Sequence, residues 1–131
     1  MSHRRHYSEC MGHMCQTHNL GSRVRRQHVR LGVLWFALSL VLGFGLVDQG
    51  AAGRLGFLLA LPLAIGSYCL LAGSFGVCVY NSVQGRRLAN HGAEVVPDET
   101  LRKRLVRRGL TLAGLSCTLG GLGALAFIVS V

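Results

Sequence analysis

The sequence predicts an all-α membrane protein: three transmembrane helices in a small bundle, with a short basic interfacial helix. Three observations carry that prediction. Three long apolar runs interrupt the chain, basic residues crowd the segments outside them, and only 15% of the 131 residues are charged. A soluble domain of this length carries about 25% charged residues.

The first apolar run, LGVLWFALSLVLGFGLV from Leu31 to Val47, is 17 residues long. A spanning helix needs ~20 residues to cross ~30 Å of hydrocarbon. Val29 and Arg30 extend the run at one end, since an arginine stem lies along apolar surface while its head stays in the headgroup layer. The second run is Leu55 to Tyr80 and the third Leu110 to Val131. The spans are therefore placed at about 29–48, 55–80 and 109–131, forming one membrane domain over 29–131 behind a polar tail, 1–28. One such run is compatible with a buried core helix, but three in a chain this short leave too little polar surface to cover them. Helices rather than strands follow, because a backbone in lipid must satisfy its hydrogen bonds within its own segment. Pro62 is expected to kink the second span by removing a donor and crowding the preceding turn. Small residues recur four apart at Ser39/Gly43, Ala72/Gly76, Gly109/Ala113 and Gly120/Ala124. Such pairs let helices approach closely in lipid, either within a tight bundle or toward other membrane helices.

Orientation follows from the Lys and Arg positions. Six precede the first run (Arg4, Arg5, Arg23, Arg25, Arg26, Arg30), one, Arg54, lies in the first connection, and seven lie in the second. Basic residues are retained in the cytoplasm during insertion. The N-terminus and the 82–108 loop are thus expected inside the cell's inner (plasma) membrane, and the Asp48–Arg54 turn and C-terminus outside. A cleaved signal peptide is disfavoured by the long polar leader. The charge of +9 is thereby a topological signal. It lacks the interleaved aromatics or motif of a nucleic-acid binder, and no nucleic-acid partner is expected.

In the second loop, Asp98 follows Pro97 as a helix N-cap, with Glu99 and Thr100 in the first turn, where the helix dipole favours acids. Leu101 and Leu105 share a face, and Arg102, Lys103, Arg104, Arg107 and Arg108 cover the remainder. An interfacial helix leading into the third span is expected, its five basic residues meeting anionic lipid headgroups at about 1 kcal/mol each as well as enforcing topology.

The tail carries HRRHYSECMGHMCQTH. Thiolate, imidazole and thioether suit zinc or copper(I), which makes Cys10, His13, Cys15 and His18 candidate metal ligands, with Met14 nearby. The spacing fits a zinc finger poorly, because no second Cys/His pair follows at finger distance. The plainer reading is a polar tail with reduced thiols. Cys69 and Cys117 read as small hydrophobes. Cys78, at the inner end of the second span, is a candidate thiol positioned to meet the cytoplasm.

The run from Arg23 to Arg87 resembles the small two-helix inner-membrane domain of the YgaP type, found alone or fused to rhodanese. The shared features are the lead-in with Arg26, Arg30 and Gly32, Pro62 and Gly66 in the second span, and the ending Cys78-Val79-Tyr80-Asn81. The chain departs from that family at Val79, where the family has proline, and it has no rhodanese domain, so sulfur transfer is not carried over. The resemblance implies an oligomerising bundle that handles a sulfur species or an anion at the inner membrane.

Enzymatic function is not expected. Paired carboxylates, a Ser/His/Asp order and a phosphate-cradling glycine loop are all missing, and Ser39, Ser67, Tyr68, Ser74, Thr111, Ser116 and Thr118 read as interhelical hydrogen-bond donors. No Asp, Glu, Lys, Arg or His lies within the three apolar runs, whereas ion and proton pathways place such groups inside the membrane. The residues favour a non-catalytic accessory or structural subunit whose partners are membrane lipids and other subunits or copies of itself. The alternative is a metal- or thiol-handling membrane protein using the tail.

Overall fold

The computed structural model describes residues 18–89, 92–96 and 98–131. The order of elements is α1 (Ser22–Asp48), α2 (Ala52–Leu55), a 3-10 turn (Gly56–Leu59), α3 (Ala60–Phe75), α4 (Val79–Val83), the strands β1 (Arg86–Ala89) and β2 (Gly92–Val95), and α5 (Glu99–Ser130). Three helical stretches are long and apolar enough to cross a membrane: Ser22–Asp48, Ala52–Phe75 and Glu99–Ser130, of 27, 24 and 32 residues.

Helix α3 lies between α1 and α5 and packs on both. Glycine sets the closeness of both crossings. A Cβ on Gly32 would stand 3.0 Å from the Gly66 carbonyl oxygen, and one on Gly66 would stand 3.3 Å from that of Gly32. On the other side of α3, a Cβ on Gly120 would meet the Ala60 oxygen, the Ala64 nitrogen and the Ala64 Cβ, each at 2.7 Å. The small-residue pairs are therefore largely consumed inside the bundle: Ser39, Gly43, Ala72, Gly109, Gly120 and Ala124 are buried. The outward faces are apolar and open, with Phe44, Leu61 and Val129 69–78% exposed. A continuous apolar surface of this kind needs lipid or protein against it rather than water.

Four sequence expectations are revised. The helix expected over the second apolar run does not continue to Tyr80. Gly76 adopts the left-handed conformation (φ 66°) and ends α3 at Phe75, a standard helix stop, so Ala72/Gly76 is not a pair on one continuous helix. The irregularity attributed to Pro62 lies just upstream, in the 3-10 turn Gly56–Leu59. Pro62 occupies the first turn of α3, where it has no N–H to donate back to Leu58 and its ring crowds that carbonyl. The basic segment is not a separate interfacial helix, since Glu99–Ser130 is one unbroken helix whose first turns carry the basic residues. The span hydroxyls are mostly not interhelical donors: Ser39, Thr111 and Ser116 donate to the carbonyls of Trp35, Arg107 and Leu112, four residues back in their own helices, while the Tyr68 hydroxyl reaches out of α3 and accepts from the Val79 amide.

The 82–108 loop also contains a β-hairpin, with Arg86 opposite Val95 and Ala89 opposite Gly92. Leu20 adds a parallel bridge to Leu88, so a third short segment joins its edge.

Asp98 caps α5 as its position predicts, accepting from Thr100 N at 2.8 Å and from the Thr100 hydroxyl at 2.7 Å. The Thr100 hydroxyl, with the Thr100 amide second, holds the Asp98 carboxyl below the ordinary aspartate range. A depressed carboxyl pKa contributes stability above its unfolded value and loses it as pH falls through the folded one. Protection of the amides in residues 100–103, taken as exchange relative to the intrinsic rate at each pH, is therefore expected to fall on acidification below the ordinary aspartate range. Asp98→Asn keeps the cap and should flatten that dependence; a slope unchanged in Asp98→Asn would assign it to another group.

Candidate functional site at the basic end

Among the described residues, every Lys and Arg except Arg54 lies in the segments gathered at one end of the bundle. The segment 18–21 crosses the end of α3 and makes both backbone contacts and one side-chain lock there. The backbone amides of Asn19 and Leu20 donate to the Gly76 oxygen at 2.9 and 3.1 Å, and the Leu88 amide donates to the Asn19 oxygen at 2.8 Å. The Asn19 side chain is fully buried. Its Oδ1 accepts from the Cys78 amide at 2.8 Å, and its Nδ2 donates to the Cys78 carbonyl at 2.9 Å and to the Ser82 hydroxyl at 2.7 Å. Ser82 Oγ donates in turn to the Cys78 carbonyl at 2.7 Å. One carboxamide thus holds the link between α3 and α4 against the segment leading into α1.

Arg25 adds a second clamp. Three arginines in the first two turns of α1 (Arg23, Arg25, Arg26) sit where the helix dipole disfavours positive charge. Because α3 runs antiparallel, its C-terminus lies beside them. Arg25 donates through Nε to the Gly73 carbonyl at 2.9 Å and through a terminal nitrogen to the Ser74 carbonyl at 2.6 Å, covering the negative end of α3 with a cation.

Cys78, the candidate thiol, is buried within this lock. Its Sγ takes a contact of 3.6 Å from the Tyr68 hydroxyl, which itself accepts from the Val79 amide at 3.0 Å. Burial removes the ready access that a reactive thiol needs. Of the candidate metal ligands, Cys10, His13 and Cys15 lie outside the described residues. His18 is described and sits over Gly76, its ring 2.5 Å from where a Cβ there would stand.

The five basic residues proposed for headgroup contact divide into distinct groups. Arg102 reaches back to the Val83 carbonyl at 2.8 Å and lies beside Gly85, tying α5 to the α4–β1 turn. Lys103 pairs with Glu99 at 2.8 Å, both side chains open to solvent. Arg104, Arg107 and Arg108 instead line a cleft of about 850 Å³ between α5 and the end of α3. His18 and Ser74 stand on its opposite side, while Phe75, Val77 and Leu112 give it apolar walls. The spacing 104, 107, 108, 111, 112 places these α5 residues on one helical face. Among the described residues, none of the three guanidiniums makes a hydrogen bond or ion pair, in contrast to Arg25 and Arg102.

The sequence reading missed Asn19 altogether, because an asparagine in a polar leader carries no signal of burial. The hairpin had a signal. Leu88-Ala89-Asn90-His91-Gly92-Ala93 places two residues between short apolar segments, with glycine directly after them.

Comparison with protein-family models, curated proteins and solved structures returns no match for this chain.

Proposed function

We propose that the chain is a small, non-catalytic integral membrane protein of the inner membrane, an accessory or structural subunit acting through its helix faces. One observation supports this reading above the others. Its three long helices expose apolar side chains along their outer faces, yet no Asp, Glu, Lys, Arg or His lies within the three apolar runs. A bundle without intramembrane ionisable groups offers no proton relay or ion path of its own, and its outer apolar faces suit lipid and other helices. The small-residue pairs pack within the bundle, so partner contacts fall to the open sides of α1 and α5.

The N-terminal tail and hairpin end is cytoplasmic in this proposal, with the 49–51 turn outside, following the positive-inside rule. In a variant whose native cysteines are replaced, Gln49→Cys should react with a membrane-impermeant maleimide added to intact cells. Val95→Cys should react only after permeabilisation. The reverse pattern inverts the protein.

The subunit role is tested by native mass spectrometry after gentle extraction from the protein's own membrane. Co-migrating membrane subunits, or a homo-oligomer, are expected. A lone monomer that transports a solute in liposomes would overturn it.

A further inference from the structure

We propose that the Arg104–Arg107–Arg108 cleft is a binding site for a single phosphodiester headgroup, that of an anionic phospholipid in the leaflet surrounding the basic end. The inference rests on the membrane reading above and gives that surface a specific ligand.

Three arginines on successive turns of one helical face line one cleft, Arg107 also bordering the hollow beside Glu99 and Lys103, and none has a protein acceptor among the described residues, while other cations at the same end are already committed. Arg25 covers the carbonyls of Gly73 and Ser74, Arg102 the carbonyl of Val83, and Lys103 pairs with Glu99. The end of α3 that borders the cleft would repel an anion through its terminal carbonyls, and Arg25 offsets that repulsion. The nearest acids do not fill the cleft. Glu99 faces Lys103, and Asp98 is engaged by Thr100, although its charge is felt by Arg104. Guanidinium is the side chain best matched to phosphate oxygens, which it can bind through two parallel N–H groups.

Depth along α5 also favours a lipid. From Gly109 to Ser130, α5 is apolar and extends about 33 Å at ~1.5 Å per residue, close to the ~30 Å hydrocarbon thickness. Arg104, Arg107 and Arg108 therefore fall in the headgroup layer when α5 spans. Phe75, itself 55% exposed, and Leu112 flank the arginines on the membrane side of the cleft, where an acyl chain leaving a bound phosphate would run. A soluble phosphate uses the guanidiniums but gains nothing from those walls, and this favours the lipid.

The full-length protein in nanodiscs of phosphatidylcholine with a minor fraction of phosphatidylglycerol provides the test, with retained lipid read by native mass spectrometry. The wild type should keep one phosphatidylglycerol in preference to phosphatidylcholine. Arg107→Gln with Arg108→Gln should weaken that retention roughly ten- to thirtyfold. Arg26→Gln with Arg30→Gln removes the same charge from the same end outside the cleft and should leave it largely intact. Equal loss in both double variants would reduce the effect to bulk surface charge and overturn the site, as would no loss in either. Inorganic phosphate at millimolar concentration should not displace the lipid; displacement would reassign the cleft to a soluble anion. Circular dichroism of each variant separates a lost site from a lost fold. Carbonate washing of native membranes separates the two proposals, because a chain released by it was never inserted, whereas an inserted chain lacking the lipid preference refutes the site alone.

Discussion

Asn19→Ala is expected to destabilise the protein by about 2–3 kcal/mol, one of the largest effects of any single polar substitution in the chain. The cost depends on which partners survive. The Cys78 carbonyl keeps the Ser82 hydroxyl at 2.7 Å and the Ser82 amide at 3.0 Å, so it is not stranded. The Cys78 amide has Asn19 Oδ1 as its partner at 2.8 Å, and truncation leaves that buried N–H without an acceptor. A stranded buried donor costs ~1–3 kcal/mol, and the emptied carboxamide volume adds to it. Ser82→Ala should cost only about 1 kcal/mol, because it removes one partner of Nδ2 while Oδ1 still holds Cys78. Asn19→Asp should be at least as damaging as alanine, since a buried carboxylate would face the Cys78 carbonyl in place of a donor. Denaturant titration in detergent micelles, followed by circular dichroism, would rank the three. A Ser82→Ala loss equal to that of Asn19→Ala would shift the lock from the carboxamide to the hydroxyl.

The lock has a consequence for the whole basic end. Segment 18–21, the α3–α4 link, the hairpin edge and, through Arg102, the start of α5 are joined by few bonds, most of them routed through Asn19, Gly76 and Leu88. The arginine cleft borders this assembly. Asn19→Ala should therefore raise amide exchange at residues 76–79 and 88 well before the central parts of the three long helices respond, since local opening follows the weakest cooperative unit.

The apolar helices were legible in the sequence because hydropathy over ~20 residues reports on a single physical demand, that of hydrocarbon on side chains and backbone. The N-cap at Asp98 was legible because capping is local chemistry. Much of the basic end was not. Gly76 looks like one more small helical residue until its conformation is known, and nothing local distinguishes it from Gly73, which stays helical. Asn19 acts through residues almost sixty positions away. The five basic residues of 102–108 look equivalent as a run, yet three-dimensional neighbours commit Arg102 and Lys103 to protein partners and leave Arg104, Arg107 and Arg108 facing a cleft. Charge patterning reports which side a segment lies on; it does not report which cation is already used.

Among the bundle glycines, Gly120→Ala is expected to be the most damaging, at about 2–3 kcal/mol, while its neighbour Gly121→Ala should be neutral or slightly stabilising. The added methyl is the same in both. At Gly120 it would stand 2.7 Å from the Ala60 oxygen, the Ala64 nitrogen and the Ala64 Cβ. None of those atoms belongs to a side chain that can rotate away, so α5 and α3 must separate along their crossing. At Gly121 nothing lies within 4 Å of the new methyl, and alanine's better helix propensity, up to ~1 kcal/mol in water, is the term that remains. Gly32→Ala should fall between them. Its methyl would come within 2.8 Å of Leu70 Cγ and 3.0 Å of the Gly66 oxygen, and the leucine can change rotamer even though the carbonyl cannot move freely. Unfolding of the three variants in mixed micelles tests the order, because it depends on which face of each helix is packed against α3. If Gly121→Ala proved as costly as Gly120→Ala, the outer face of α5 would itself be a packed surface in the folded protein, and the oligomeric contact sought by native mass spectrometry would have to include it.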